Sequence, residues 1–445
     1  MAAAYDSDRR TTSSFQGWWA VGVFSVAAVL SYTDRQILTL LVDPLRADLR
    51  ISDTQLSILQ GAAFAVLYSC IGLPLGRIAD IVPRKAQLLT AVIIWSLGTA
   101  LCGLAHSFGE LFAARLLVGV GEAAFAPAAM SLIADYFPAD RRATATGVFF
   151  TGMAIGAGGA VAIGGALLDA AQHGVFASLP FIGALAPWRI VLMLAGLAGV
   201  VIAVLFATLH DPITRTRSLR ELRSRLAIRE TVAPFLKRLP LLFPLYAAMA
   251  LCSTVDYAML SWAPSLLSRN FAFTPLQVGA SLGTIAIVAS IVGTPAGGIL
   301  TDWCTKRWGS TARPRLMLGI VVFGILGAPM GVLATGTQIL IAAACWILVS
   351  AVLGIVSIAT TLDLLPIESR GLATSTIAFS NTIVGLGLGP TLVALTTDHI
   401  YGSPAAVGLA ITTVITPLIL LACLFYYFAM QRWDRMTAMM AWTPA

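Results

Sequence analysis

The sequence predicts an all-α integral membrane protein with twelve transmembrane helices in two pseudo-symmetric six-helix bundles. Three observations predict it. Of the 445 residues, 58% are hydrophobic and 11% charged, where a soluble domain carries about 25% charge to cover its surface. Twelve stretches reach the roughly 20 apolar residues that a helix needs to cross a bilayer. The first half of the chain also returns in the second in one constant register, in which Asp34 falls on Asp256. A soluble enzyme and a DNA-binding factor are excluded. So is an outer-membrane barrel, whose strands would alternate polar and apolar residues.

The expected spans are 17–42, 55–78, 87–106, 110–134, 143–168, 188–209, 241–267, 276–300, 315–335, 338–362, 371–396 and 405–430. Gly and Pro interrupt many of them, as neighbouring helices permit inside a membrane. Of 28 Lys and Arg, 22 fall on one set of connections and four (Arg46, Arg50, Arg189 and Arg269) on the other. The bias places both termini in the cytoplasm, as expected for a multi-pass protein of the inner (plasma) membrane. The net charge of +7 is therefore a topology signal. It points to anionic lipid headgroups and to no nucleic-acid partner. The layout is a tail 1–16, a bundle 17–209, a basic linker 210–240, a bundle 241–430 and a tail 431–445. In the linker, Leu219, Leu222 and Leu226 at helical spacing fit a basic amphipathic helix on the membrane surface; a disordered linker is the alternative.

The repeat relates Asp34 to Asp256, Gly76 to Gly298, Asp80 to Asp302, and Arg84-Lys85 to Lys306-Arg307. Ser52…Gln55 and Thr274…Gln277 stand in the same register, each with the pattern of a capping box. An internal duplication of this kind places binding at the interface of the repeats near the bilayer midplane. The six cysteines form no CxxC pair and read as small buried fillers, Cys304 alone facing the cytoplasm. The four scattered histidines give no zinc site.

Gly76-Arg-Ile-Ala-Asp80-Ile-Val-Pro-Arg84-Lys85 and Gly298-Ile-Leu-Thr-Asp302-Trp-Cys-Thr-Lys306-Arg307 resemble the loop signature of the major facilitator superfamily, G-x-L-A-D-R-x-G-R-K. Ile81 and Pro83 depart from it. Tyr32-Thr-Asp34-Arg35-Gln36, Arg115-Leu-Leu-Val-Gly119-Val-Gly121-Glu122-Ala and Gly385-Leu-Gly387-Leu-Gly389-Pro390 resemble the Spinster-like branch. The organic anion:cation symporter branch carries similar patterns and is the second choice. The resemblance implies the major facilitator fold. It also implies a charge latch of Gly76, Asp80, Arg84, Lys85, Gly298, Asp302, Lys306 and Arg307 that stabilises the outward-open state. Plain positive-inside anchoring is the alternative for these residues.

An ionisable group at the centre of a spanning helix costs about 2.5–3.5 kcal/mol on insertion scales, so each one needs a reason. Asp34, Arg35, Arg115, Glu122 and Asp256 lie well inside expected spans. Arg115 and Glu122 stand two turns apart along one helix face, with Gly119 between them. The expectation is that Asp34 and Glu122 exchange protons while Arg35 pairs with them or holds an anionic headgroup. A static network orienting spans one and four is the alternative. Asp256, whose neighbour Tyr257 replaces the arginine of the first copy, and Asn381 are further candidates for proton coupling or the substrate cavity. Gly119, Gly156, Gly385, Gly389 and Pro390 are expected to set helix packing or kinks. The antiporter motif of the superfamily that the chain resembles, G-x-x-x-G-P-x-x-G-G, would put a proline at Ala157 of span five, and the departure weakens an antiport reading.

No phosphate-binding loop is present, and no catalytic constellation or ring of pore charges. The expected function is therefore a secondary transporter and not an enzyme. It moves a small organic or lipid-like solute, anionic or amphiphilic, as a monomer by alternating access. No cofactor is expected, and the proton gradient supplies the energy. An anion:cation symporter for a small carboxylate is the alternative reading, and a non-transporting receptor or sensor the alternative of a different class.

Overall fold

The computed structural model describes residues 14–66, 68, 71, 83–210, 228–309, 311–365 and 367–441. Regular structure among them is entirely helical. In chain order the helices are α1 (Ser14–Leu40), α2 (Val42–Leu49), α3 (Asp53–Ser57), α4 (Arg84–Leu104), α5 (Phe108–Tyr136), α6 (Ala139–Gln172) and α7 (Pro187–Ala207). There follow α8 (Ile228–Lys237), α9 (Leu239–Phe271), α10 (Pro275–Trp308), α11 (Ala312–Gly324), α12 (Gly336–Asp363), α13 (Ile367–Ser380), α14 (Gly387–Leu395) and α15 (Val407–Ala441). Among the described residues eleven helices are long and apolar enough to cross a membrane. The remaining expected span, 55–78, is described over 55–66 and at 68 and 71, and its other residues are not described.

By packing, the chain divides into two compact units, Met1–Leu41 with Val66–Arg225, and Val42–Ala65 with Leu226–Ala445. In the first unit α1 lies along α6, and α4 along α5 and α7. Small residues set these seams. A Cβ on Gly156 would come within 2.9 Å of the Val29 Cα, and one on Gly121 within 2.6 Å of the Trp95 backbone nitrogen. The interior between them is aromatic: Trp95 meets Phe125 edge-on at 5.7 Å, and Phe125 stacks on Phe206 at 6.2 Å. Such pairs prefer these offset and T-shaped geometries.

The second unit is built on α9, which packs along α14 and α15. A Cβ on Gly389 would stand 2.5 Å from the Thr254 carbonyl. One residue on, the Pro390 carbonyl accepts a hydrogen bond from the Trp262 indole at 2.9 Å. α14 is preceded by a π-helical turn, Asn381–Leu386.

The duplication is visible in backbone detail. Arg50 and Ala272 are equivalent in the repeat, and both adopt left-handed backbone, with φ of 54° and 55°. Just beyond them Ser52 and Thr274 each open a helix with a complete capping box to Gln55 and Gln277.

Two expectations are corrected. Gly298–Arg307 is not a loop but the last turns of α10, because no helix breaker intervenes before Gly309. Cys304 is buried at 4% exposure, turned into the unit rather than to solvent. Residues 431–441 continue α15 as helix. Gly76 and Asp80, and Leu219, Leu222 and Leu226, lie outside the described residues.

Gly121→Ala is expected to cost about 1–3 kcal/mol through overpacking against Trp95. Gly159→Ala, whose added carbon meets open space, should leave the melting temperature in detergent or nanodiscs nearly unchanged.

Candidate functional site

The first unit brings together the four charged residues that the sequence sets well inside its spans. Asp34 and Arg35 come from α1, and Arg115 and Glu122 from α5. Asp34 is fully buried, and Arg115 and Glu122 are each 1% exposed. Glu122 Oε2 accepts a hydrogen bond from Ser31 Oγ at 2.8 Å and an ion-paired one from Arg35 Nε at 2.5 Å. The Arg35 guanidinium stands 5.4 Å from the Tyr32 ring centroid and 5.1 Å from that of Tyr68. Aromatic faces attract a desolvated cation, so the two tyrosines hold the arginine over the carboxylate.

Asp34 and Arg115 meet differently. The Thr99 hydroxyl donates to Asp34 Oδ2 at 3.1 Å, and Arg115 Nη1 donates to the Asp34 backbone carbonyl at 3.1 Å. Among the described residues no ion pair joins the two side chains. Asp34 Oδ1, Glu122 Oε1, and Arg115 Nε and Nη2 are buried without hydrogen-bond partners. Unmet buried polar groups are costly and call for an explanation. Here they leave acceptor and donor capacity inside the helix pair, and Arg35, with 24% of its side chain exposed, is the one charge of the four that reaches an open surface.

The second unit answers with a carboxylate and neutral partners. Asp256 on α9 accepts from the Trp346 indole at 2.7 Å and from Ser350 Oγ at 2.6 Å, both on α12. No cation pairs with it among the described residues. Asn381, the first residue of the π turn, keeps its Oδ1 buried and without a partner. Gly385 in that turn lets Ser253 and Tyr257 of α9 approach within 3.1 Å of where a Cβ would stand. Gly119 is buried between Arg115 and Glu122 on α5.

Gly76 and Asp80 lie outside the described residues, and the other latch residues have the following surroundings. Asp302 and Arg307 are exposed on α10, and Asp302, Lys306 and Arg307 form no ion pair among the described residues. Arg84 does pair, with Asp135 at 2.5 Å, and Lys85 Nζ donates to the Ala207 carbonyl at 2.6 Å.

Sequence reasoning missed a second repeat that explains this. In a slightly longer register, Asp135-Tyr-Phe-Pro-Ala-Asp-Arg-Arg142 matches Asp363-Leu-Leu-Pro-Ile-Glu-Ser-Arg370. Arg84 at the start of α4 pairs with Asp135 at the end of α5; Arg313 at the start of α11 pairs with Asp363 at the end of α12. Arg142 donates to the Ala134 and Phe137 carbonyls, and Arg370 to those of Leu362 and Leu365. Each arginine thus caps the carbonyl end of the preceding helix, where four acceptors lack partners. The register that aligns Asp34 with Asp256 passes over the pattern. In the longer register Glu122 corresponds to Ser350, so the two buried carboxylate sites are the same site with its charges redistributed.

A bundle of membrane-crossing helices, duplicated internally and with charges buried between paired helices, defines a multi-pass membrane transporter. The chain belongs to the Major Facilitator Superfamily, whose family model matches residues 24–390, and so to a family of carriers rather than of enzymes. It is 26% identical to an MFS-type efflux pump of Mycolicibacterium smegmatis, over 97% of each chain. It is 25% identical to the Drosophila melanogaster protein spinster over 73% of this chain and 51% of that one. It is 24% identical to the Bacillus subtilis hexuronate transporter over 63% and 64%. Among solved structures, a bacterial homologue of the human lysosomal transporter Spinster superposes with a TM-score of 0.80 at 22% identity, over 95% of this chain and 99% of that one. That likeness shows the fold.

Removing one member of a buried ion pair strands the other, at a cost of about 3–5 kcal/mol. Arg35→Gln and Glu122→Gln are each expected to lower the melting temperature, and the double variant by less than the sum. Additive losses in a double-mutant cycle would show that the pair is not coupled.

Proposed function

We propose that this protein is a secondary active transporter that moves a small organic or lipid-like solute, anionic or amphiphilic, by alternating access coupled to protons. The observation that carries the reading is the α1–α5 charge cluster. Two carboxylates and two guanidiniums share one helix pair, and buried oxygens and nitrogens there lack partners. Opposite charge and hydrogen bonding favour the ionised carboxylate, whereas burial favours the neutral acid. A carboxylate that gains and loses its arginine as a cavity opens to each side therefore takes up and releases a proton.

Asp34 and Glu122 are the protonation sites in this reading. Arg35 exchanges between Glu122 and an anionic group of the solute. Asp256 and Asn381 supply polar contacts from the second unit. The distribution of basic residues supports an inner-membrane protein with both termini in the cytoplasm. The Arg84–Asp135 and Arg313–Asp363 braces then lie on the cytoplasmic side, with Gly76, Asp80, Lys85, Gly298, Asp302, Lys306 and Arg307 as the conformational latch.

A small carboxylate as solute is a second reading. It is supported by Arg115, which keeps two nitrogens without partners, and by the hexuronate transporters among the relatives.

The test is current on solid-supported membranes carrying proteoliposomes, over a panel of organic acids, drugs and lysolipids. Wild-type protein should give a solute-dependent current that grows with an imposed proton gradient. Asp34→Asn and Glu122→Gln should each reduce gradient-driven transport at least tenfold while solute counterflow persists. Gradient-driven transport that survives both substitutions would remove these acids from proton coupling.

A further inference from the structure

Within the second unit α10 packs along α12 and α11 leans on the same helix, while α10 and α11 touch one another little. A furrow of about 890 Å³ remains between them. Its floor is α12, at Val349 and Val352. One wall is a face of α11 formed by Ala312, Leu316, Gly319, Ile320 and Phe323, at the three- and four-residue spacing of a single helical stripe. The other wall carries Trp303 and Trp308 of α10, which meet edge-on at 4.8 Å. A Cβ on Gly319 would meet nothing within 4 Å, so the furrow stays open at its middle. Arg315 is the one charged residue that lines it among the described residues.

Length and polarity run together along this furrow. From Ala312 to Phe323 the α11 wall rises about 16 Å, at a helical rise of ~1.5 Å per residue. That is close to half of the roughly 30 Å hydrocarbon core, the depth of one leaflet. Arg315 is exposed in the first turn of α11, so the charge stands at the end of the span and the apolar stripe runs inward from it. Trp303, Trp308 and Phe323 are each more than half exposed, and tryptophans at a span end suit the headgroup level. In the adjoining turns of α10, Lys306 and Arg307 are exposed beside one exposed acid, Asp302. Arg313 is already matched by Asp363. The balance of charge at this end is therefore positive.

We propose that the furrow between α10 and α11 is a binding site for one anionic phospholipid of the surrounding bilayer. Its phosphate lies on Arg315 and one acyl chain runs along the α11 stripe past Gly319 to Phe323. A guanidinium presents a planar fork of donors that matches phosphate oxygens, and it is more weakly hydrated than an ammonium group. The tryptophans of α10 flank the glycerol level, where an apolar ring with one polar edge is at home. A side chain at Gly319 would fill the place of the acyl chain, and glycine leaves it open. The residues that line the furrow belong neither to the proposed proton sites nor to the latch.

The experiment is native mass spectrometry of the full-length protein, stripped of lipid and titrated in detergent micelles. The probes are phosphatidylglycerol and phosphatidylcholine with the same acyl chains. The wild-type protein should bind its first phosphatidylglycerol about fivefold more tightly than its first phosphatidylcholine, the factor expected from one basic residue at a membrane surface. Arg315→Gln should remove that preference and leave phosphatidylcholine binding unchanged, and Arg315→Lys should retain most of it. Gly319→Leu, whose side chain enters open space, should weaken the first binding step of both lipids without lowering the melting temperature of the stripped protein. Equal binding of the two lipids by the wild-type chain overturns the proposal, because a lipid that merely coats the surface is not selected by charge. So does a preference that survives Arg315→Gln, or a first binding step that Gly319→Leu leaves unchanged. Lipid binding needs neither solute nor gradient. A wild-type chain without flux would therefore remove the transport reading and leave this result to be judged by itself.

Discussion

Everything in this structure answers to the cost of placing charge in hydrocarbon. A spanning helix can hide its backbone by hydrogen bonding to itself, but an ionised side chain must find a partner or a use. The Arg35–Glu122 pair is where this constraint is tightest. The carboxylate is buried, and the cation is flanked by Tyr32 and Tyr68 and reaches outward. The close packing of α1 on α6 and of α4 on α5, set by Gly156 and Gly121, helps bring these groups to their positions. Helix packing and charge placement are one design problem here, solved twice in the same chain.

The two solutions differ, and the difference is informative. In the first unit the carboxylates share their helix pair with guanidiniums. In the second, Asp256 is held by an indole and a hydroxyl. Tyr257 stands where the first copy has Arg35, and Ser350 where it has Glu122. The duplicated fold thus carries a charged site in one copy and a neutral-partner site in the other. The helix ends show no such difference: the Arg–Asp brace and the carbonyl-capping arginine are kept in both copies.

The parts legible in the sequence are those that depend on pattern. Twelve apolar runs, the basic connections and the register that sets Asp34 on Asp256 need only composition and spacing. The capping boxes at Ser52 and Thr274 need only local rules. The meeting of α1 and α5 can be foreseen because charges so rare inside spans require one another. Partner choice is harder to see. Helix spacing offers Arg115 to the acids, but it reaches the Asp34 carbonyl instead. The loop signature says nothing of Asp135, on another helix, with which Arg84 pairs. The Asp43–Asp53–Arg269 cluster joins residues far apart in the chain whose equivalents in the repeat, Ser265, Pro275 and Ala47, carry no charge. Such pairings are decided by which helix ends come together, and no spacing rule encodes that. The continuation of α10 through Arg307 escapes the same signature, which suggests a break where no Gly or Pro stands before Gly309.

The central claim is that the buried acids of α1 and α5 change protonation state in the working protein. Infrared difference spectroscopy of the carboxyl stretch, on protein in nanodiscs titrated across neutral pH, tests it directly. A protonated-carboxyl band should appear as pH falls, diminish in Asp34→Asn and in Glu122→Gln, and vanish in the double variant. A band that persists unchanged in the double variant, or no titrating band in the wild-type protein, would contradict the account.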